Sequence, residues 1–314
     1  METVRRFLVR SDGILWARWV WLMRKGYRNY LTRLVFVLPV LLLIGVFVLY
    51  PFVMSVCYSF TDWDGMTTAR FIGLKNYADL FQDNSFRHAL RNTLFFTVAT
   101  VLVVNPLAMM LALVFHSRIR GGKILRTLFY IPVIISQIVV SNIWLLLLSY
   151  NGILNRILTS VGLERLVVDW LGDYVKAPWV VVFLILWQGL GNSAILYLAG
   201  LQGIPADLYE AAAIDGVNGI SKFTRITFPL LMPAVTVVTF LQLANGLKLF
   251  DIPFIMTGGG PGDVTTTVSM IIYNQLFKYN TGGYATTTGI VLLMLTIAIS
   301  LIQMKATRSR EVEL

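Results

Sequence analysis

The sequence is poor in the residues on which most soluble and catalytic proteins depend. Only 13% of its 314 residues are charged, and it holds one cysteine and two histidines. A single Cys57 allows no intramolecular disulfide and no cysteine metal site, and its apolar setting reads as a packed or lipid-facing thiol. His88 falls in an expected outer connection and His116 at the inner end of the second expected span, far apart in membrane depth, and neither Gly-x-Ser-x-Gly nor His-Glu-x-x-His occurs. No nucleophile–base set or metalloprotease helix is therefore in sight, which argues against an intramembrane protease or acyltransferase. Internal repeats and low-complexity tracts are absent too, which leaves no paired halves of the kind self-contained secondary transporters show.

What is abundant is apolar. Hydrophobic residues make up 57% of the chain, and the mean hydropathy is +0.72, far from the composition of a soluble domain. Several runs reach the ~20 residues an α-helix needs to cross ~30 Å of hydrocarbon, and none alternates in the manner of a membrane barrel. The expected fold class is all-α integral membrane, with six transmembrane helices over about 34–57, 92–115, 127–149, 178–201, 233–256 and 285–304. The first run starts too late and runs too long for a cleaved signal peptide, so it reads as a retained span.

The net charge of +10 follows topology. Seventeen Lys and Arg lie before the first span, between the second and third, between the fourth and fifth, and after the sixth; the other three connections hold eight. The positive-inside rule then puts both termini in the cytoplasm. No nucleic-acid partner is implied. Residues 1–33 interleave Trp16, Trp19, Trp21, Tyr27 and Tyr30 with Arg18, Arg24, Lys25 and Arg28, which suits either an amphipathic segment on anionic membrane lipids or a basic tail that sets orientation. Domain organisation is read as 1–33 N-terminal segment, 34–304 membrane domain with a cytoplasmic loop at 203–232, and 305–314 cytoplasmic tail.

That loop carries the most specific signal. In "GIPADLYEAAAIDGVNGISKFTRITFPLLMP" (203–233), Pro205 fits a helix start, Asp207 and Glu210 place negative charge near it, the alanines favour helix, and Gly216 stops it. A second short helix fits 218–227, ended by Pro229. Helices this short are marginal in water without a surface to pack on, so the loop reads as a docking element for another protein.

The pattern Glu210-Ala211-Ala212, three residues, Gly216, nine residues, Ile226-Thr227-Phe228-Pro229 resembles the cytoplasmic signature of the membrane permease subunits of bacterial ATP-binding cassette importers. Phe228 stands where that family usually has Leu and keeps an apolar contact. "FYIPVIIS" (129–136), "NGILNRIL" (151–158), "LYLAGLQGIPADLYEAAAIDG" (196–216) and "FDIPFIMTGGGPGDVTTT" (250–267) are similar to segments of its carbohydrate-uptake branch, and the resemblance covers roughly 35–305. It implies that this chain pairs with a second, homologous permease, two ATPase subunits and an extracytoplasmic solute-binding protein, and sits in the bacterial inner membrane. It also implies that the chain binds no cofactor, ATP and Mg being used by the ATPase. The "TGGGPG" segment lacks the Lys and Ser or Thr of a phosphate-binding loop. Coupling to the ATPase then falls to Glu210 and Gly216, with Ala211, Ala212 and Asp215 beside them; a loop helix merely packed on its own protein is the alternative.

A saccharide stripped of water needs polar partners at membrane depth. Candidates are Gln137, Gln188, Asn192, Gln242, Asn245, Lys248 and Asp251. Gln188 and Asn192, four apart, and Asn245 and Lys248, three apart, should share helix faces. Lys248 and Asp251 could instead pair with each other. Polyol and glycerol phosphate importers share these segments and stay open as alternatives to a neutral sugar or oligosaccharide.

Overall fold

The computed structural model describes residues 37–117 and 121–311; the basic aromatic segment 1–33 and residues 312–314 lie outside the described part. The chain divides after Cys57 into two units. In the first, α1 (Val37–Tyr58) is a 22-residue apolar helix that widens to a π turn over Gly45–Leu49, just before Pro51. The missing Pro51 N–H is accommodated there.

The second unit opens with a short folded connection. Thr61 and Phe71 form an isolated bridge, and α2 (Lys75–Gln82) follows. Buried Asn76 donates from Nδ2 to the carbonyls of Ser59 and Thr61. The spans α3 (Asn84–His116), α7 (Lys176–Gln202) and α13 (Gly282–Arg308) are long and apolar enough to cross a bilayer. Between α3 and α7 lie α4 (Gly122–Ile134), α5 (Gln137–Leu148) and α6 (Ile153–Ser160). After α7 come α8 (Ala206–Ile214), α9 (Gly219–Leu230), α10 (Met232–Leu247), α11 (Asp251–Thr257) and α12 (Val268–Phe277). Among the described residues no strand forms. An all-α membrane architecture is therefore observed, with five helices long and apolar enough to span (α1, α3, α7, α13 and the run Gln137–Ser160 that holds α5 and α6), or six when the bent pair α9 and α10 counts as one.

Helix α7 packs along α3, α10 lies against α3 and α13, and α11 lies against α5. Two apolar clusters result. One joins Val104, Phe115, Tyr197, Leu201 and Leu231; the other joins Phe96, Val181, Leu184, Ile252 and Met256.

Several span boundaries differ from the sequence expectation. The third span is broken: α4 ends at Ile134, Ile135 and Ser136 are extended, and α5 restarts at Gln137. The fifth stops at Leu247 and resumes at Asp251. At both breaks apolar residues leave the helix, Ile135 at the first and Leu249 and Phe250 at the second, which hydropathy cannot register. The second helix of the loop does not end at Pro229 either. It runs to Leu230 because a π turn over Phe223–Thr227 shifts the hydrogen-bond ladder. The chain then bends by 65° at Leu231. Helix α13 likewise continues past 304 to Arg308.

Candidate functional site

The two helix breaks face each other across a cavity of about 420 Å³, lined by residues 133–137, by α7 between Ile185 and Leu196, and by α10 with Leu249 and Ile252. Its position follows from α7, whose 27 residues rise ~40 Å and whose midpoint, Gly189, is a lining residue. The cavity therefore sits at mid-depth of a helix long enough to span. On α3 and α7 alike, the polar lining residues (Thr100; Gln188, Asn192 and Ser193) fall between buried members of the two apolar clusters, Phe96 and Val104 on α3, Leu184 and Ala194 on α7.

Close backbone approach makes the cavity possible. Gly191 meets the carbonyl of Phe129 so closely that an added Cβ would lie 2.1 Å from it, and a Cβ on Gly246 would lie 3.0 Å from Thr97 Cα. Larger residues there would push α4 off α7 and α3 off α10.

Five of the expected pathway residues come together. Gln137, Gln188, Asn192, Gln242 and Asn245 all line the cavity, joined by Ser193, Ser136 and Thr100. Gln137, Asn192 and Asn245 are exposed, so this chain leaves the cavity open, while Gln188 and Gln242 are buried in its wall at 7% and 8% exposure. Gln188 Nε2 donates to the Ile135 carbonyl at 2.9 Å, satisfying a peptide group freed by the break. Gln242 Nε2 donates to Ser193 Oγ at 3.1 Å. The Oε1 atoms of both glutamines are buried without a partner. Gln137 opens α5, whose first-turn N–H groups have no partner within the helix. Amide, hydroxyl and free peptide groups on an aliphatic background offer both donors and acceptors, the pairing that hydroxyl-rich molecules require.

Lys248 and Asp251 do not line this cavity. Lys248 is exposed and caps the end of α10, so it no longer shares a helical face with Asn245. Asp251 begins α11, where helix polarity favours a carboxylate. The non-helical residues between them break the three-residue register, and the ion pair among the described residues is Lys176–Asp173 instead. Sequence reasoning passed over Ser193, Ser136 and Thr100, since hydroxyls in spans commonly bond their own helix, as Thr100 does to Phe96. The break itself was signalled by Pro132 within an apolar run.

The residues that follow "TGGGPG", 263–268, fold onto α3. Asn92 Nδ2 donates to the carbonyls of Asp263 and Thr266, Thr93 Oγ1 accepts from the Val268 N–H, and Thr267 Oγ1 donates to the Leu249 carbonyl at the second break.

Helix α8 presents the signature. Glu210, Ala211, Asp215 and Gly216 are exposed, and Ala212 alone of the five is buried. Gly216 has φ +69°; its N–H reaches the Ala213 carbonyl and the Val217 N–H reaches that of Ala212. This is a Schellman end, and it needs a left-handed residue at Gly216. Ile214 and Ile220, 87% and 81% exposed, leave apolar surface beside it. Behind α8, the Tyr209 hydroxyl shares a hydrogen bond with Thr227, and Lys222 lies over the Tyr209 ring.

Residues 104–310 match the family described as binding-protein-dependent transport system inner membrane component. The chain belongs to that family. This permease is 33% identical over 92% of its length to the probable starch degradation products transport system permease protein AmyD of Thermoanaerobacterium thermosulfurigenes, covering 98% of that protein. It is equally identical, over 92% of its length and 99% of the relative, to the multiple sugar-binding transport system permease protein MsmF of Streptococcus mutans. Its fold matches a chain of a bacterial transporter involved in the import of the acidic polysaccharide alginate, with a TM-score of 0.78, 25% identity, and coverage of 92% of the permease and 98% of that chain.

Proposed function

We propose that this permease forms half of the passage for a carbohydrate, handed over by an extracytoplasmic binding protein and driven by ATP hydrolysis in separate subunits. The carrying observation is the mid-depth cavity between two broken helices, lined by uncharged amides and hydroxyls and left open by this chain. Irregular backbone at membrane depth is tolerated where it lines such a cavity. The open side, at Gln137, Asn192 and Asn245, is where a second homologous permease would complete the wall. The names of AmyD and MsmF support a saccharide cargo.

In this reading α8 lies in the cytoplasm and seats in a cleft of the ATPase, with Glu210 supplying charge, Ala211 permitting close approach, and Gly216 with Asp215 fixing the helix end. Closure of the ATPase around ATP and Mg would move α8, and the bend at Leu231 would carry that motion into α10 and its cavity residues. The test is purification of the tagged chain in mild detergent, followed by an ATPase assay with maltose, galactosides and any co-purified binding protein. A second permease and an ATPase stimulated by saccharide support the reading. A stable lone protein without nucleotide hydrolysis contradicts it.

A further inference from the structure

The cavity carries information about which cargo it accepts, on the reading that it is the passage. Two features decide this. The first is that among the described residues no charged side chain lines the cavity: every polar member is an amide or a hydroxyl, and Lys248 and Asp251 lie outside it. The second is the direction of the unused hydrogen bonds. A glutamine amide can be turned over in many sites, but Gln188 cannot, because the group it meets at Ile135 is a carbonyl and only accepts. The Nε2 must face Ile135, so Oε1 is left as a buried acceptor with no donor. Gln242 is different, because its partner Ser193 Oγ is a hydroxyl that donates as well as accepts, so its amide can turn either way and leaves either an oxygen or an N–H for the cargo.

We infer that Gln188, in a lining without charged side chains, selects an uncharged, hydroxyl-donating sugar unit and excludes uronates and sugar phosphates from this chain's side of the passage. A sugar hydroxyl can turn its proton toward Gln188 Oε1 and relieve a desolvated acceptor. A uronate or sugar phosphate keeps hydroxyls of its own, but its anionic group brings no proton to Gln188 and meets amide, hydroxyl and α5 N–H dipoles rather than a cation that would offset lost hydration. The same fold occurs in a transporter involved in the import of an acidic polysaccharide, so the architecture alone does not decide the charge of the cargo.

The test uses the assembled transporter in lipid nanodiscs, with Cys57→Ser and a reporter Leu241→Cys in the cavity lining, alkylated by a neutral maleimide and read on this chain by mass spectrometry. Glucose, galactose and maltose are compared with glucuronate and galacturonate as protectants. Neutral sugars should slow alkylation and uronates should not. Gln188→Met should raise the neutral sugar concentration needed by about tenfold, the scale of one hydrogen bond to a buried acceptor. Asn192→Lys, which adds a cation to the wall, should let uronates protect. Equal protection by both classes in the parent protein overturns the charge selection while leaving the passage in place, and full protection at the parent concentration in Gln188→Met overturns the acceptor role. No protection by any sugar overturns the passage itself.

Discussion

A methyl group on Gly191 would lie 2.1 Å from the carbonyl oxygen of Phe129, so α4 rests directly on the backbone of α7, one turn from Gln188. Gly191→Ala should lower stability by about 1–3 kcal/mol, the usual cost of overpacking. At Gly189 an added Cβ would meet nothing within 4 Å, and Gly189→Ala should hold or gain stability through helix propensity. Thermal unfolding of both variants in one detergent separates the cases; equal losses would refute the close approach.

Tyr197, fully buried, donates to Asn105 Oδ1 at 2.7 Å, and Asn105 Nδ2 reaches Thr239 at 3.3 Å, linking α7, α3 and α10. Tyr197→Phe strands the Asn105 oxygen and should cost about 1–3 kcal/mol. A denaturation midpoint unchanged from the parent would show that this network carries no weight.

Asn92 holds residues 263–266 against α3 through two carbonyls. Asn92→Leu should release that segment, so that amides of 263–268 exchange with deuterium faster while those of α7 do not change. Uniform exchange rates across parent and variant would contradict it.

Asp173 is held to a pKa of about 2, first by the Lys176 ammonium and then by the Lys176 and Val175 N–H groups. A depressed carboxyl contributes stability above its unfolded value of 3.8 and loses it as pH falls toward about 2. Carboxyl carbon NMR should show Asp173 titrating near 2, and Lys176→Met should raise that midpoint. Titration at the ordinary aspartate value in the parent would contradict the contact.

Much of this was legible in the sequence because the signals were local. Pro205, the alanines and Gly216 specify α8 within one stretch, and a left-handed helix end is a demand that glycine meets alone with little strain. Gln137, Gln188, Asn192 and Asn245 stood out because amides are costly in an apolar run. The helix breaks were hidden from hydropathy, since Ile135 and Leu249 are as apolar outside the helix as in it, and Pro132 was the one local signal of the first break. Lys248 was misplaced for the same reason: its three-residue spacing from Asn245 has meaning only where the helix persists.

In the proposed transporter α8 transmits ATP hydrolysis to the cavity. Gly216→Ala strains a left-handed position by about 1 kcal/mol and should weaken that coupling partially, whereas Glu210→Ala removes the exposed charge without touching the fold. The decisive measurement is ATP-driven saccharide uptake into proteoliposomes by the assembled Glu210→Ala transporter, alongside its stimulated ATPase rate. Loss of both with the subunits still co-purifying is the predicted result; uptake at the parent rate would contradict the account.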